Sequence, residues 1–407
     1  MAVRHDRIVP LNYNSLMALD VCIHGAGVVG KSLALLLARA RVRVGLVQAN
    51  AAQLANAQPD IRAFALNAAS RQLLLSLRAW PEQTCAVQHM RVQGDDPSDS
   101  QQAKLGGSVV QFDAAASGCE ALTWIVDAGA LEQQLHTAIG FAPEITLLNA
   151  PEDAALTVLC EGKHSPTRNA IGVQFTPTAY GQTAIAATVR TQLPHQNTAW
   201  QWLRGSDHDG EVCALLPKHS TADGGNLVAL VWSVSHEQAQ HLLALDDLQF
   251  CTALQQACGQ ALGTMQLTSQ RAAWPLHVAQ ASRWIGTGLP GKPQAAWALA
   301  GDAAHVVHPL AGQGLNLGLA DAAELARVLC AKEYFRSYGD MRLLRRYERA
   351  RQADAAVLRL ATDGLQRLFA LPDARIRSLR NWGMRRFDAL PPVKAMVMRQ
   401  AMGLQPL

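Results

Sequence analysis

The chain has 407 residues, 49% of them hydrophobic and 17% charged, with a formal net charge of +4. This is the composition of a folded globular protein long enough for two or three domains and a large buried core. No apolar run reaches the roughly 18 residues of a spanning helix, which excludes an integral helical membrane protein.

The first residues, Met1 to Leu19, include Arg4, Asp6, Arg7 and Pro10 and have no apolar h-region, so they do not read as a signal peptide. Met17, just before the first strand, is an alternative start, and a cytoplasmic protein is expected. The eight cysteines, at positions 22, 85, 119, 160, 213, 251, 258 and 330, form no CxxC pair and no zinc-type cluster with histidine. They read as reduced core thiols. The pair His305 and His308 has no third ligand nearby, so no metal is expected. Charge is uneven: from Arg336 onward there are 15 Lys/Arg against 6 Asp/Glu. A basic tail suits an anionic lipid, nucleic acid or an acidic partner, or is a set of solvated helix surfaces.

In chain order, Asp20 to His24 is a short apolar run that predicts a strand, and Gly25-Ala26-Gly27-Val28-Val29-Gly30 follows at once. Lys31 to Ala40 reads as a helix and Val42 to Val47 as a second strand, making one βαβ unit of about thirty residues. A polar stretch from Gly94 to Lys104 marks a break. Alternation in Ala184–Arg190, Val212–Leu216 and Leu227–Val234 predicts an antiparallel sheet in the middle third. Leu289 to Pro293 reads as a loop, and Ala296 to Ala300 as a strand that ends on Gly301-Asp302. Beyond it, Leu315, Leu319, Ala322, Leu325, Ala326 and Leu329 keep helical spacing, as do Val357, Ala361, Leu365 and Leu368.

The spacing Gly25-x-Gly27-x-x-Gly30 between strand and helix is the context of dinucleotide binding. Gly25 permits the tight turn, Gly27 lets a pyrophosphate approach the backbone, and Gly30 allows close helix–strand packing. The helix N-terminus then attracts the phosphates through its unpaired N–H groups and dipole. The end of the second strand, where an acid normally holds the ribose, carries Gln48. The loss of charge assistance costs roughly 1 kcal/mol, which is under tenfold in affinity. Later in the chain, Gly301-Asp302-Ala303-Ala304-His305 is followed by Pro309-Leu310-Ala311-Gly312-Gln313-Gly314-Leu315-Asn316-Leu317-Gly318. Here a strand delivers a carboxylate suited to a sugar-alcohol chain. A Pro/Gly loop then feeds a helix N-terminus that suits an anionic ring edge.

This second segment closely resembles the second FAD motif of the aromatic-ring flavin hydroxylases, most of all the branch that hydroxylates ubiquinone precursors. The resemblance extends over nearly the whole chain. It includes Asp60-Ile61-Arg62, Tyr180-Gly181-Gln182, Thr198-Ala199-Trp200-Gln201, Leu215-Leu216-Pro217, Leu344-Arg345-Arg346-Tyr347-Glu348 and Arg380-Asn381-Trp382-Gly383. It implies an α/β fold with a Rossmann-type FAD-binding domain, an antiparallel-sheet substrate domain and a C-terminal helical segment. The FAD-binding domain would be discontinuous, with residues 17–95, 125–168 and 286–335. The substrate domain would take 96–124 and 169–285, and the helical segment 336–407.

By the same resemblance FAD would be held by Gly25, Gly27, Gly30, Gln48, Arg62, Asp302, Pro309, Gly312, Gln313, Gly314, Leu315 and Asn316. Asp302 would take the ribityl chain, Gly312 to Asn316 would line the isoalloxazine, and Arg62 would reach the phosphates or form a surface salt bridge. NAD(P)H would reduce the flavin and O2 would supply the hydroxyl group for the ring of a polyprenylated phenol. No second dinucleotide fingerprint is present, so the nicotinamide would bind transiently. No acid–base residue is assigned. The basic segment from Arg375 to Arg399, with Leu379, Trp382, Met384 and Phe387, would suit an inner-membrane surface or a quinone-biosynthesis complex, and no nucleic acid is expected.

Three positions depart from the family pattern: Gln48 for an acid, Gly129 for an FAD-contacting arginine, and Glu161-Gly162 for Asp-Gly. They leave open a non-catalytic accessory subunit of a ubiquinone-biosynthesis complex. Trp200-x-Trp202 is superficially similar to the tryptophan motif of flavin halogenases, but Leu203-Arg204 follow in place of Ile-Pro.

Overall fold

The computed structural model describes residues 19–48, 60–94, 109–204, 210–219, 225–307 and 313–370. The polar break around Gly94–Lys104 falls largely outside them, and Pro309, Gly312 and the basic segment Arg375–Arg399 lie outside them entirely.

The βαβ start forms as expected. β1 (Leu19–His24) runs into α1 (Val28–Arg39) and returns as β2 (Val44–Val47), parallel to β1 with Ile23 opposite Leu46. β3 (Ala63–Leu66), α2 (Ala68–Ser76), β4 (Thr84–Val87), β5 (His89–Gly94), β6 (Val109–Asp113), β7 (Thr123–Asp127) and α3 (Ala128–Gly140) follow. Then come β8 (Ile145–Leu148), β9 (Ala154–Leu159) and a short α4 (Pro166–Ala170). The middle of the chain supplies β10 (Thr178–Thr191), β11 (Thr198–Leu203), β12 (Val212–Pro217) and β13 (Leu227–Ser235). These are followed by α5 (His236–Ala244), α6 (Asp247–Ala257), β14 (Met265–Leu267) and β15 (Ala272–Gln280). The chain closes with β16 (Ile285–Leu289), β17 (Lys292–Leu299), β18 (His305–Val306), α7 (Gln313–Cys330) and α8 (Met341–Ala370).

Three sheets result. The first has the order β16-β17-β9-β1-β2-β8 and is parallel except for the edge strand β16. Its strands read as continuous apolar runs because helices cover it, with α1 packed between the sheet and α7. The second has the order β18-β15-β10-β13-β12-β11-β5-β6, with β14 also on β10. One face, carrying Ile185, Ala187, Val189, Leu215, Leu230 and Trp232, packs on α5 and α6 around Phe250 and Leu254. A small antiparallel sheet, β3-β7-β4, seals the two together through Ala65, Ile125, Val87 and Ala199.

Two expectations need correction. The tract Leu289–Pro293 is a tight hairpin: Leu289 pairs with Lys292, Gly291 takes φ +73°, and β17 begins at Lys292, four residues before the expected strand. The proline misled, because it sits at the bulged edge of the hairpin and does not end a strand there. The cysteines are all free thiols, but Cys330 is exposed at the end of α7 and is not in the core.

Candidate FAD site

The glycine loop is built around backbone crowding. Gly25 has φ +104°, and a Cβ there would lie 2.4 Å from the carbonyl oxygen of Cys160. A Cβ on Gly30 would lie 2.0 Å from the carbonyl oxygen of Gly25. Both glycines are therefore demanded by the loop itself. Gly27 differs: a Cβ there would meet no protein atom within 4 Å. It caps the N-terminus of α1 with no side-chain cap and no acid in the first turn, so the unpaired N–H groups of that turn open onto free space. This is a cradle of the kind a pyrophosphate fills.

The second motif meets this loop through glycines. Gly301 (φ +63°) and Gly318 of α7 both close on the side chain of Val29 in α1, with ideal Cβ positions 3.2 Å and 2.7 Å from its Cγ2. β17 thus delivers the turn Gly301–Ala303 beside the start of α1. The chain then leaves as β18, which pairs with β15 at the edge of the second sheet. Asp302 stands where the parallel sheet hands over to the mixed one. Its carboxylate is exposed, yet dense protein around it raises its pKa against the pull of His305, Arg62 and Lys163. The desolvating surroundings therefore outweigh the three cations around this carboxyl.

Arg168 fixes this turn from behind. It is 2% exposed, donates to the carbonyl oxygens of Ala303 (3.1 Å) and Lys163 (2.8 Å), and lies over the ring of Phe175 at 3.6 Å. Burial depresses its pKa, with the carboxylate of Glu161 opposing. Glu161 in turn accepts from Ser165 Oγ (2.5 Å), Thr167 Oγ1 (2.7 Å) and Thr167 N (3.1 Å), holding the N-terminus of α4.

The remaining sequence candidates divide. Asn316 is buried at the start of α7. Its Nδ2 donates to the carbonyl of Ala65 (2.9 Å), and its Oδ1 accepts from Asn67 N (3.0 Å) and Ser70 Oγ (2.7 Å). Its side chain therefore ties α7 to β3 and α2, leaving only its backbone for a ligand. Gln313 Oε1 accepts from Asn316 at 3.3 Å, and Gly314 and Leu315 lie in the same first turn of α7. Gln48 directly follows β2, its N–H donating to the carbonyl of Leu148 at 2.9 Å. Arg62 makes a forked pair with Asp60, its Nε 2.8 Å and its Nη2 2.6 Å from the two carboxylate oxygens. It still lies close enough to Asp302 and Glu132 to feel both charges.

One cluster was missed in the sequence. Asp321 is fully buried on α7. It accepts from Gly301 N (2.9 Å) and Arg351 Nε (2.8 Å), and lies 2.6 Å from His305 Nε2. Burial pushes its carboxyl up, but His305 and Arg351 outweigh that and hold it below the usual value. His305 is thereby committed to fixing the turn, with the ring of Trp284 4.9 Å away and tilted by 30°. The available signal was an acid inside the apolar stripe of α7 with an arginine on the next helix. Among the described residues no group of three or more His, Cys, Asp or Glu is placed to hold a metal.

A family profile described as FAD binding domain matches residues 146–360, more than half of the chain. The chain belongs to this FAD-binding family. Within it, the ubiquinone hydroxylase UbiL of Rhodospirillum rubrum is 30% identical over 94% of this chain and 89% of its own length. The 3-demethoxyubiquinol 3-hydroxylase of Escherichia coli is 28% identical over 95% and 98%. Among solved structures, p-nitrophenol 4-monooxygenase PnpA of Pseudomonas putida superposes with a TM-score of 0.72 at 16% identity, covering 96% of this chain and 99% of that one. Klebsiella pneumoniae HpxO, solved with FAD and uric acid, gives 0.67 at 15% identity over 94% and 97%. The fold is that of the flavin monooxygenases, and the chain is an FAD-dependent monooxygenase. The open space at Gly27 and the carboxylate of Asp302, carried on a turn packed against the start of α1, fit FAD.

Proposed function

We propose that this monooxygenase hydroxylates the aromatic ring of a polyprenylated ubiquinone precursor, with NAD(P)H as reductant and O2 as oxidant. The observation that carries the cofactor half is the open space at Gly27, with the Gly301–Ala303 turn that carries Asp302 packed on Val29 at the start of the same helix. The relatives' substrates support the other half.

Bound FAD supplies the redox chemistry and the activation of dioxygen. The chain's residues bind and orient it. The first turn of α1 would take the pyrophosphate, Asp302 the hydroxyls of the ribityl chain, and the first turn of α7, from Gln313 to Asn316, would present N–H groups to the ring edge. Pro309 and Gly312, which lie outside the described residues, are candidates for the same ring on the sequence motif alone. Arg62 would reach the phosphates only after leaving Asp60. The face of the second sheet opposite α5 and α6 carries Ala186, Val231, Ala214 and Ala272 in register. These small apolar side chains suit a flat, greasy ring held away from water.

No described helix is long and apolar enough to cross a membrane. The basic segment Arg375–Arg399 would bring the cleft to an anionic bilayer surface or a quinone-biosynthesis complex. Flotation with anionic and with neutral liposomes tests the bilayer; recovery with neither kind refutes it. Deleting the gene and identifying the accumulated precursor by mass spectrometry tests the reaction. A quinone intermediate lacking one ring oxygen is expected, and an unchanged quinone pool refutes the proposal.

Two observations favour a second reading, a non-catalytic accessory subunit. Gly129 opens onto empty space in α3 where the family carries an arginine, and the guanidinium of Arg62 is already paired with Asp60. A purified protein that binds no FAD yet is needed for quinone synthesis would establish it.

A further inference from the structure

His24 is an unusual residue for the end of a central parallel strand. It is 7% exposed, with Val47 of β2 and Leu159 of β9 as its strand partners, and its carbonyl accepts from Cys160 N at 2.8 Å. The next residue is Gly25, where the phosphate loop begins. Its Nδ1 is buried without a hydrogen-bond partner and faces Oε1 of Glu161 at 3.6 Å. A buried imidazole nitrogen left in this way is costly unless the ring carries charge opposite a carboxylate. Glu161 has that geometry: one oxygen reaches back toward His24 while both hold Ser165 and Thr167 at the N-terminus of α4.

We propose that His24 is a positioning residue for the dinucleotide: paired with Glu161 across the ends of β1 and β9, it sets the Gly25–Gly30 loop against α4 and places a cation beside the phosphate cradle. The linkage continues beyond α4. Arg168, whose N–H bonds the Ser165 cap, reaches the carbonyl of Ala303 next to Asp302. The loop for the phosphates and the turn for the ribityl chain are thus braced by one buried polar chain. Glu161 and His24 act as a pair, since Glu161 is placed to meet both α4 and the imidazole.

Burial alone would push the imidazole down, but the neighbouring Cys22 and the Glu161 carboxylate raise it to about 9. The titratable groups around it are Glu161 and Cys160 at the β9 end, Cys22 on its own strand and Arg168 on α4. Asp321 lies beyond Cys160 and is already paired. β2 presents the uncharged Val47 and Gln48, and Lys31 of α1 faces Glu132 at 4.0 Å. The imidazole is therefore cationic at neutral pH and becomes neutral as pH rises through about 9.

The inference rests on FAD as cofactor and not on the substrate, so it is tested on binding alone. The dissociation constant of FAD is measured by flavin fluorescence from pH 6.5 to 10 for the wild type, His24→Val, Glu161→Gln and the double variant. The melting temperature of each apoprotein is recorded alongside. The wild type is expected to lose affinity as pH rises through about 9. His24→Val should bind FAD about tenfold more weakly at pH 7 and show a flat profile over that range. The double variant should be no weaker than Glu161→Gln. His24→Val with wild-type affinity and the wild-type pH profile would overturn the proposal. So would a lower apoprotein melting temperature with FAD affinity unchanged, since that marks a purely structural pair. If Glu161→Gln does not fold, the profile of His24→Val decides.

Discussion

Asp321 Oδ2 lies 2.6 Å from Nε2 of His305, and both side chains are almost wholly out of water. The other carboxylate oxygen accepts from Arg351, so one acid on α7 ties the turn that carries Asp302 to α8. Removing one member of such a buried set leaves an uncompensated charge, at a cost of about 3–5 kcal/mol. Asp321→Ala is therefore expected to lower the denaturation midpoint sharply and to loosen FAD with it, read by urea melts with and without FAD. A melt within about 1 kcal/mol of wild type would contradict the buried-charge account.

The same carboxylate gives an acid limit. Its folded pKa is lowered below the usual 3.8, so its contribution is present above that value and is lost as pH falls through the folded value. Stability measured below pH 4 should fall more steeply in the wild type than in Asp321→Asn.

His24 gives the opposite limit. Its folded pKa is raised from 6.5 to about 9, so its contribution is fully present below pH 6.5 and is lost as pH rises through about 9. Thermal melts of apoprotein across that window should decline in the wild type and decline less in His24→Val.

Asn316 makes four side-chain contacts, to Ala65, Asn67, Ser70 and Gln313. Asn316→Ala strands a buried N–H and a buried carbonyl and should cost about 2–3 kcal/mol of stability. Asn316→Asp loses the donor to Ala65 and should be destabilised as well. Chemical denaturation of the two variants measures both effects.

Gly129 offers room. It lies in the first turn of α3 with no atom near its Cβ, so Gly129→Arg enters without a clash. Replacing a helical glycine adds up to roughly 1 kcal/mol of helix stability. If the family's arginine contact is re-created, FAD affinity should rise by up to about tenfold. Isothermal titration of both proteins with FAD reads the change.

The parts of this fold that were legible in the sequence are those with local signals. The glycine loop announces itself by spacing between two apolar runs, and β10, β12 and β13 by alternation at period two. The strand that ends at the Gly301-Asp302 turn was legible because its motif is contiguous. The bracing was not legible. His24 and Glu161, or Arg168 and Ala303, meet only after distant strands pair, and no periodicity records such an encounter. The place of Asn316 at the start of a helix was legible, but its bonding was not, because its partners come from β3, the start of α2 and its own helix. The small β3-β7-β4 sheet was missed for a related reason: its strands are short and their partners non-local.

The most direct test is the fate of FAD when Gly27 alone is changed. Gly25→Ala and Gly30→Ala collide with backbone and should disturb the fold, whereas Gly27→Ala meets only the space assigned to the pyrophosphate. The visible spectrum of purified wild-type protein titrated with FAD should show a perturbed, saturable flavin band. Gly27→Ala should keep the apoprotein melting temperature yet need about tenfold more FAD. A wild-type protein that leaves the flavin spectrum unperturbed at saturating FAD, or a Gly27→Ala variant that binds as tightly as wild type, would contradict the assignment of this cleft.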